Sequence, residues 1–290
     1  MMWFIYALIG AIGKTYSGFY RKKIAHTVSS SLYIWIANTL ILLVLTPFMW
    51  SHRSDLTQLL SSMPIVLSGV VITNLLATRL NFEALKREEL SYTAPLNAFV
   101  PLFTLLIASL FLHETPPRFG LVGVAIIVLG AYVISIEPSK VHWYSPIQRL
   151  TKSAGAQLSI VVTFCYALNT IATKFITNEG FNSLNIFYLT SLLTWTCLLY
   201  VPFKHRREFM IVTKADKRYV LSGSVSAFAS GYFHILATAS TYTSYATSVR
   251  RLDSILSVFL GWKYLKETNI LIKVLGASIM LVGTLILSLF

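Results

Sequence analysis

The sequence predicts an all-α integral membrane protein with ten transmembrane helices arranged as two inverted five-helix repeats. Hydrophobic residues make up 55% of the 290 residues and charged residues only 12%, about half the roughly 25% that is typical of soluble domains. Apolar runs of about 20 residues, the length that crosses ~30 Å of hydrocarbon, recur along the whole chain. In addition, the first five runs share residues with the last five at nearly constant shifts.

Polar breaks divide the chain into its predicted spans. These cover residues 2–20, 31–50, 64–84, 91–112, 118–136, 155–177, 184–203, 219–240, 243–262 and 269–289. Ten spans of about 20 residues use roughly 200 residues, which leaves short loops and no room for a separate soluble domain. We expect the first repeat at residues 1–137, a linker loop at 138–153 and the second repeat at 154–290.

The internal repeat rests on matched residues. The pairs Glu114 and Glu267, Gly123 and Gly276, Gly130 and Gly283, and Lys14 and Lys174 occupy corresponding places in the two halves. Similarity at a fixed period indicates a duplicated architecture. Because five is odd, the two halves enter the membrane from opposite faces, so a pseudo-two-fold axis in the membrane plane relates them. The paired glycines predict a close approach of helices, and the two glutamates are expected to have structural roles at helix ends.

Basic residues predict the orientation. The loops after the odd-numbered spans contain Arg21, Lys22, Lys23, Lys86, Arg87, Lys140, Arg149, Lys152, Lys204, Arg206, Arg207, Lys214, Lys217, Arg218, Lys263, Lys266 and Lys273. The opposite face has only Arg53 and Arg118. Because cytoplasmic loops are enriched in Lys and Arg, we expect a multi-pass protein of the cell (inner) membrane with both termini outside the cytoplasm.

Several classes of function are disfavoured. The net charge of +13 does not indicate nucleic-acid binding, because the basic residues lie at helix ends and in short loops. Cys165 and Cys197 lie inside apolar runs and are expected to be lipid-buried thiols rather than parts of a disulfide or metal site. The 11 acidic residues are scattered, and no His/Cys spacing typical of a metal site occurs. We therefore expect neither an enzyme nor a bound cofactor.

Charged residues inside the ninth span are the strongest indication of a site. Arg250, Arg251 and Asp253 lie there, and each charge in hydrocarbon costs roughly 2.5–3.5 kcal/mol on insertion scales. Arg250 and Asp253 are three residues apart on one helix face and can pair, whereas Arg251 points about 100° away. One arginine can bind a substrate carboxylate or phosphate through its planar fork. The alternatives are a structural Arg–Asp pair or arginines that reach the interface.

Asn97 occupies the position in the first repeat that corresponds to Arg250. Pro101, four residues later, has no N–H, so it frees the carbonyl of Asn97 and kinks the fourth helix. We expect this carbonyl and the side-chain amide to face an arginine at the same depth and to form a polar centre between the halves.

Further polar residues inside the spans are candidates for the cavity lining. Lys14 and Lys174 lie late in the first helix of each half, where each either faces a cavity or extends to the membrane surface. Asn74 and Arg79 on the third span and Tyr232 and His234 on the eighth complete the set. His234 is either a proton relay or a hydrogen-bonded packing residue.

Two stretches resemble a known family. Residues 95–103, running on to Leu112, His113 and Glu114, are similar to the fourth helix of EamA-type proteins of the drug/metabolite transporter superfamily, and residues 123–130 resemble the helix that follows it. The second copy, from Arg250 to Gly283, resembles the same unit. The resemblance implies ten helices in two inverted repeats, alternating access around a central cavity, and export of amino acids, other metabolites or drugs. Members usually place both termini in the cytoplasm, the reverse of what the charges predict here.

Together these observations predict a secondary transporter, and an exporter, of a small organic metabolite that is amino-acid-like or anionic. A lipid or carrier-lipid flippase is the alternative, and an intramembrane transferase is a weaker one. Small-molecule substrate and lipid bilayer are the expected partners. Asp253 is a candidate for proton coupling, although a carboxylate paired with arginine stays ionised. Monomer and homodimer both remain open.

Overall fold

The computed structural model describes residues 2–50, 53–111, 120–136, 145–207, 217–241 and 243–289, and within these ranges the chain is helical without β-strands, as predicted. The first half contains α1 (Met2–Ile24), α2 (Ser30–Met49), α3 (Arg53–Ser62), α4 (Pro64–Arg87), α5 (Leu90–Thr93), α6 (Phe99–Phe111) and α7 (Gly120–Ile134). The remainder contains α8 (Ser145–Lys152), α9 (Ala154–Asn178), α10 (Ser183–Cys197), α11 (Val201–Lys204), α12 (Lys217–Ser240), α13 (Thr243–Arg250), α14 (Leu252–Leu265) and α15 (Ile270–Leu289).

Five helical segments in the described ranges are long and apolar enough to cross a membrane: Ser30–Met49, Pro64–Arg87, Leu90–Ile107, Ala154–Asn178 and Lys217–Ser240. Val122–Ile134 and Ile270–Ile286 are apolar but shorter. α1 has 23 residues, but Lys14 and the cluster Arg21–Lys23 lower its hydropathy. The fold is therefore that of a multi-pass membrane protein.

The fourth and ninth predicted spans are not continuous helices. In the fourth, a 3-10 turn at Pro95–Ala98 separates α5 from α6. In the ninth, Arg251 lies outside helix between α13 and α14. The first interruption occurs in the helix that the sequence predicts to be kinked, whereas the second corrects the prediction of a continuous ninth span. The two interruptions occur at positions that correspond in the two halves. Proline explains the first, because it cannot donate the backbone hydrogen bond of a continuing helix.

The most extensive helix contacts join α1 to α12, α4 to α9, and α7 to α15. Glycine allows the close approach in the first and the third of these contacts. A Cβ on Gly130 would lie 2.7 Å from the backbone nitrogen of Met280 and 2.9 Å from the carbonyl oxygen of Gly276. A Cβ on Gly13 would lie 2.8 Å from the backbone nitrogen of Ser230. The predicted close approach at the paired glycines is therefore present between α7 and α15.

Charged residues connect helix ends at one end of the bundle, which we call the basic end and define by Lys22, Lys23, Lys86 and Lys273. The Lys22 ammonium donates to the carbonyls of Leu85 and Glu88, at 2.5 and 2.6 Å. Lys273, at the start of α15, pairs with Glu89, just before α5. These contacts gather the ends of α1 and α4 and the starts of α5 and α15 at the same end of the molecule.

Glu267 has the structural role predicted for it. Its two carboxylate oxygens accept hydrogen bonds from the backbone N–H groups of Leu90, at 2.8 Å, and Ser91, at 2.9 Å. These N–H groups begin α5 and have no partner inside the helix, so the carboxylate satisfies them and complements the helix dipole. Its counterpart Glu114 lies outside the described residues.

Cys165 is buried, Cys197 is exposed, and both are free thiols.

Candidate functional site

A central cavity of about 230 Å³ lies between the helices of the two chain halves. Its amides are Asn38, Asn74, Asn81, Asn97 and Asn169. Its charged residues are Lys14, Arg21, Arg250, Arg251 and Asp253. Among the described residues that line it, four basic side chains therefore face one carboxylate. A polar cavity with a large excess of positive charge is suited to bind an anion.

The interrupted fourth span presents a main-chain acceptor to the cavity. Pro101 lacks the N–H that would bond to the carbonyl of Asn97, and this carbonyl instead accepts from Arg251, with 2.7 Å between Nη1 and O. The Asn97 amide donates to the carbonyl of Ala94 at 2.8 Å. The freed carbonyl thus faces an arginine, but the partner is Arg251 rather than Arg250. Because Arg251 is 2% exposed and also donates to Thr247, it holds α13 against the 3-10 turn.

Asp253 pairs with Lys14 of α1, at 3.0 Å between Oδ2 and Nζ, and not with Arg250 as the spacing predicted. The prediction assumed one continuous helix, whereas Arg250 ends α13 and Asp253 lies in α14. The break at Arg251 removes the shared helix face on which an (i, i+3) pair depends. Lys14 therefore faces the cavity rather than the membrane surface. The buried Oδ1 of Asp253 has no hydrogen-bond partner in the described structure.

Arg250 faces the cavity and has a neutral partner. Its Nη2 donates to the hydroxyl of Ser230 at 2.9 Å, and its buried Nε has no hydrogen-bond partner among the described residues. The close approach at Gly13 brings α1 and α12 together here, so Lys14 and Ser230 lie on adjacent helices. The guanidinium keeps unused donors that can bind the oxygen atoms of a carboxylate or phosphate.

His234 also lines the cavity, one helix turn from Ser230 on α12. Its buried Nδ1 has no hydrogen-bond partner in the parts of the chain that are described. Lys14, Arg250 and Arg251 are all near enough for their charges to act on the ring. Neither a proton relay nor a packing role is tested by this arrangement, so both remain predictions.

Three of the predicted site residues lie away from the cavity: Lys174, Arg79 and Tyr232. Lys174 donates to the carbonyls of Thr238 and Thr241, at 3.0 and 3.4 Å, and so binds the C-terminal end of α12. Tyr232 stacks against Phe228, with ring centroids 5.9 Å apart.

Helix periodicity explains two of the three corrections. Arg79 directly follows the cavity residue Thr78, and Tyr232 directly follows Gly231. Consecutive residues of an α-helix point about 100° apart, so these two side chains lie off the cavity face of their helices. Of the same set, Asn74 does line the cavity as predicted. Polarity within an apolar run identified the correct helices but not the correct face of each.

Arg21 is a cavity residue that the sequence analysis assigned to a cytoplasmic loop. It lies in the last turn of α1, and its guanidinium is over the ring of Tyr33, 5.5 Å from the centroid. The spacing could have identified Arg21 as a cavity residue, because it is seven residues after Lys14 and therefore lies on the same face of α1. The cluster Arg21-Lys22-Lys23 concealed it, because basic clusters at helix ends are typical of topology signals.

Metal ligation is not indicated by the described residues, which contain no group of three or more His, Cys, Asp or Glu side chains placed to hold an ion. The chemistry of the cavity is that of hydrogen bonding and charge. Its described lining residues can bind and orient a polar solute.

Comparisons with known proteins agree with this architecture. The sequence model of the EamA-like transporter family matches the chain twice, over residues 1–136 and 153–289. A solved structure titled "Crystal structure of protein" is similar in fold, with a TM-score of 0.62 and 12% sequence identity over 98% of this chain and 96% of that one. A comparison with curated proteins finds no match.

The two family matches together cover nearly all of the chain, and the helical fold, the apolar spans and the central polar cavity are consistent with them. The chain belongs to the EamA-like transporter family and is a membrane transporter of the drug/metabolite transporter superfamily.

Proposed function

We propose that this protein is a secondary transporter that exports a small organic anion by alternating access through the central cavity. One observation carries the proposal: Lys14, Arg250 and Arg251 converge on a buried site with Asp253 as the single carboxylate among its described lining residues. Burying a charge costs several kcal/mol unless it is paired and hydrogen-bonded. A bound anion would supply the missing negative charge.

The unused hydrogen-bonding groups indicate how the solute would be held. Arg250 keeps a free Nε and the geometry to bind a carboxylate or phosphate through two parallel hydrogen bonds. The free Oδ1 of Asp253 can accept from a hydroxyl or an ammonium group of the same solute. The class therefore includes amino-acid-like anions. The cavity volume of about 230 Å³ restricts it to small molecules.

Alternating access would follow from the way in which the halves meet. We infer that ten helical units cross the membrane as two inverted five-helix copies. The contacts of α1 with α12 and of α4 with α9 would then be equivalent under the pseudo-two-fold axis, and the contact of α7 with α15 would lie on it. Polar contacts such as Lys14 with Asp253 cross between the copies at the cavity, so their rearrangement would accompany rocking of one copy against the other.

The test is binding followed by transport. Purified protein would be screened for thermal stabilisation by small carboxylates, phosphate esters and matched neutral analogues, and each ligand found would be assayed for exchange in proteoliposomes. We expect only anions to stabilise and to exchange. Arg250→Gln should abolish both effects, whereas Arg53→Gln, an exposed arginine at the start of α3, should change neither.

Two results would contradict the proposal. Stabilisation by neutral solutes that persists in the Arg250→Gln protein would show that the positive cluster is not the binding site. Movement of a fluorescent lipid between leaflets without exchange of any soluble anion would favour the flippase instead.

A further inference from the structure

One face of α1 lines the cavity over two helical turns. Lys14, Ser17, Gly18 and Arg21 all lie on it, at the spacing i, i+3, i+4 and i+7. With a rise of 1.5 Å per residue, the Cα atoms of Lys14 and Arg21 are about 10 Å apart along the helix. The cavity therefore has a basic side chain at each end of this face, and small residues lie between them.

Arg21 has no acidic partner among the described residues. Its buried Nε makes no hydrogen bond to them, and the side chains that interact with its guanidinium are those of Tyr33 and Tyr166. The side chain of Tyr33 is only 1% exposed and lines the cavity, and its hydroxyl meets the criteria for a hydrogen bond with none of the described residues. A guanidinium without a carboxylate partner in the described structure and a tyrosine hydroxyl thus lie together at one place in the cavity wall.

The two lysines that follow Arg21 have different roles. Lys22 donates to the carbonyls of Leu85 and Glu88. Lys23 is exposed and lies over the rings of Phe19 and Tyr219, 4.9 and 4.7 Å from their centroids. Of these three consecutive basic residues, only Arg21 lines the cavity. Lys23 is accordingly a matched control, because it is two residues away in sequence and carries the same charge.

We propose that Arg21, with Tyr33 and Tyr166, forms a second anion-binding subsite, so that the preferred solute carries two anionic groups. One group binds at Arg250 and Lys14, and the other binds at Arg21. Tyr166 lies between the subsites, since the Lys14 ammonium is 5.5 Å from its ring centroid. This inference rests on the proposed function, because it uses the same cavity and adds a second recognition element to it.

The experiment compares dicarboxylates with monocarboxylates of equal carbon number, from four to ten carbons, by titration calorimetry on the purified protein. A second arm uses 3-phosphonopropionate, which distinguishes a preference for phosphorus oxyanions from one for carboxylates. The variants are Arg21→Gln, Arg21→Lys, Lys23→Gln and Arg250→Gln. Size-exclusion profiles and melting temperatures establish that each variant is folded.

We expect the wild-type protein to bind a dianion of intermediate length at least about tenfold more tightly than the matching monoanion. Arg21→Gln should reduce this preference to about twofold or less, because it should weaken the binding of dianions far more than that of monoanions. Arg21→Lys should retain part of the preference, and Lys23→Gln all of it. Arg250→Gln should weaken the binding of both kinds of ligand.

The two proposals fail in different ways. Arg21→Gln could lower the affinities for monoanions and dianions by the same factor, or leave both affinities unchanged, while Arg250→Gln abolishes binding. Either result would contradict the second subsite but would leave the proposed anion transport intact. If Arg250→Gln has no effect on any probe, the proposed function itself fails. If no probe binds the wild-type protein, both proposals are overturned.

Discussion

Asp253 of α14 holds Lys14 of α1 in a buried ion pair, with 3.0 Å between Oδ2 and Nζ. The pair joins the two halves of the chain at the cavity, and Asp253 is only 1% exposed. The two residues are not equivalent, because Arg250 and Arg251 also act on this site. Loss of the carboxylate leaves three cations without compensation, whereas loss of the lysine leaves a carboxylate with two arginines nearby.

We therefore predict that Asp253→Asn destabilises the protein more than Lys14→Met does. Breaking a buried pair costs about 3–5 kcal/mol, and we expect Asp253→Asn in that range and Lys14→Met below it. Equilibrium unfolding in mixed micelles of non-ionic detergent and dodecyl sulfate measures the difference.

The partly exposed pair of Lys86 and Glu83 provides the control for this prediction. Their charged atoms are 2.8 Å apart, yet Glu83→Gln should change stability by no more than about 1 kcal/mol, because solvent screens such pairs. Equal destabilisation by Asp253→Asn and Lys14→Met would mean that the arginines do not influence Asp253.

Arg251 is predicted to stabilise the site more than Asn97 does. Arg251→Lys keeps the charge but loses the fork that donates to both Asn97 and Thr247, and hydrogen bonds of a charged group contribute about 1.5–3 kcal/mol. Asn97→Ala leaves the main-chain carbonyl in place and removes only the bond to Ala94, which is worth about 0.5–1.5 kcal/mol. The same unfolding assay measures both losses of stability. A larger loss for Asn97→Ala than for Arg251→Lys would contradict the hydrogen bond between Arg251 and the carbonyl of Asn97.

Gly130 is predicted to be required for the packing of α7 on α15. A Cβ there would meet backbone atoms of Met280 and Gly276 below 3.0 Å, so Gly130→Ala forces the helices apart and should lower the melting temperature by several degrees. A Cβ on Gly69 of α4 has no other atom within 4 Å. Gly69→Ala should therefore be neutral or slightly stabilising, since Ala favours helix by about 1 kcal/mol. Similar melting temperatures for the two variants would contradict the close approach.

Both termini are predicted to lie outside the cytoplasm. The basic end gathers Lys22, Lys23, Lys86 and Lys273, and positively charged loops remain on the cytoplasmic side. A C-terminal reporter that is active only in the cytoplasm should give no signal, whereas the same reporter inserted in the basic stretch at residues 204–218 should be active. The reverse pattern would establish the orientation that is usual in the family.

The sequence was sufficient to predict the elements and the region of the site. Hydropathy located helices that agree with the structure to within a few residues for α2, α4, α9, α12 and α15. The cost of charge in hydrocarbon pointed to Arg250, Arg251 and Asp253, and all three line the cavity. These predictions succeed because the number and length of apolar runs and the presence of charges within them depend only on local composition.

The partners of those charges could not be predicted in the same way. Asp253 was expected to pair with Arg250, but the interruption at Arg251 places them on different helices, and Lys14 is the partner instead. Arg21 was assigned to a loop because it begins a basic cluster, although the face of α1 that carries Lys14 also carries Arg21. A linear pattern shows that a residue is polar, but not which neighbouring helix it faces.

The sequence by itself therefore determined that this chain spans a membrane, where its long apolar helices lie, and that positive charge lies within the ninth span. Only the tertiary structure decided which side chains meet. The contacts depend on close helix approaches, such as that of Gly13 to α12, and on the positions at which two helices are interrupted. The close approaches and the interruptions bring together residues that are distant in the chain. The site is consequently a cavity whose described lining contains four basic side chains and one carboxylate, an arrangement that exists only when the two halves are packed together.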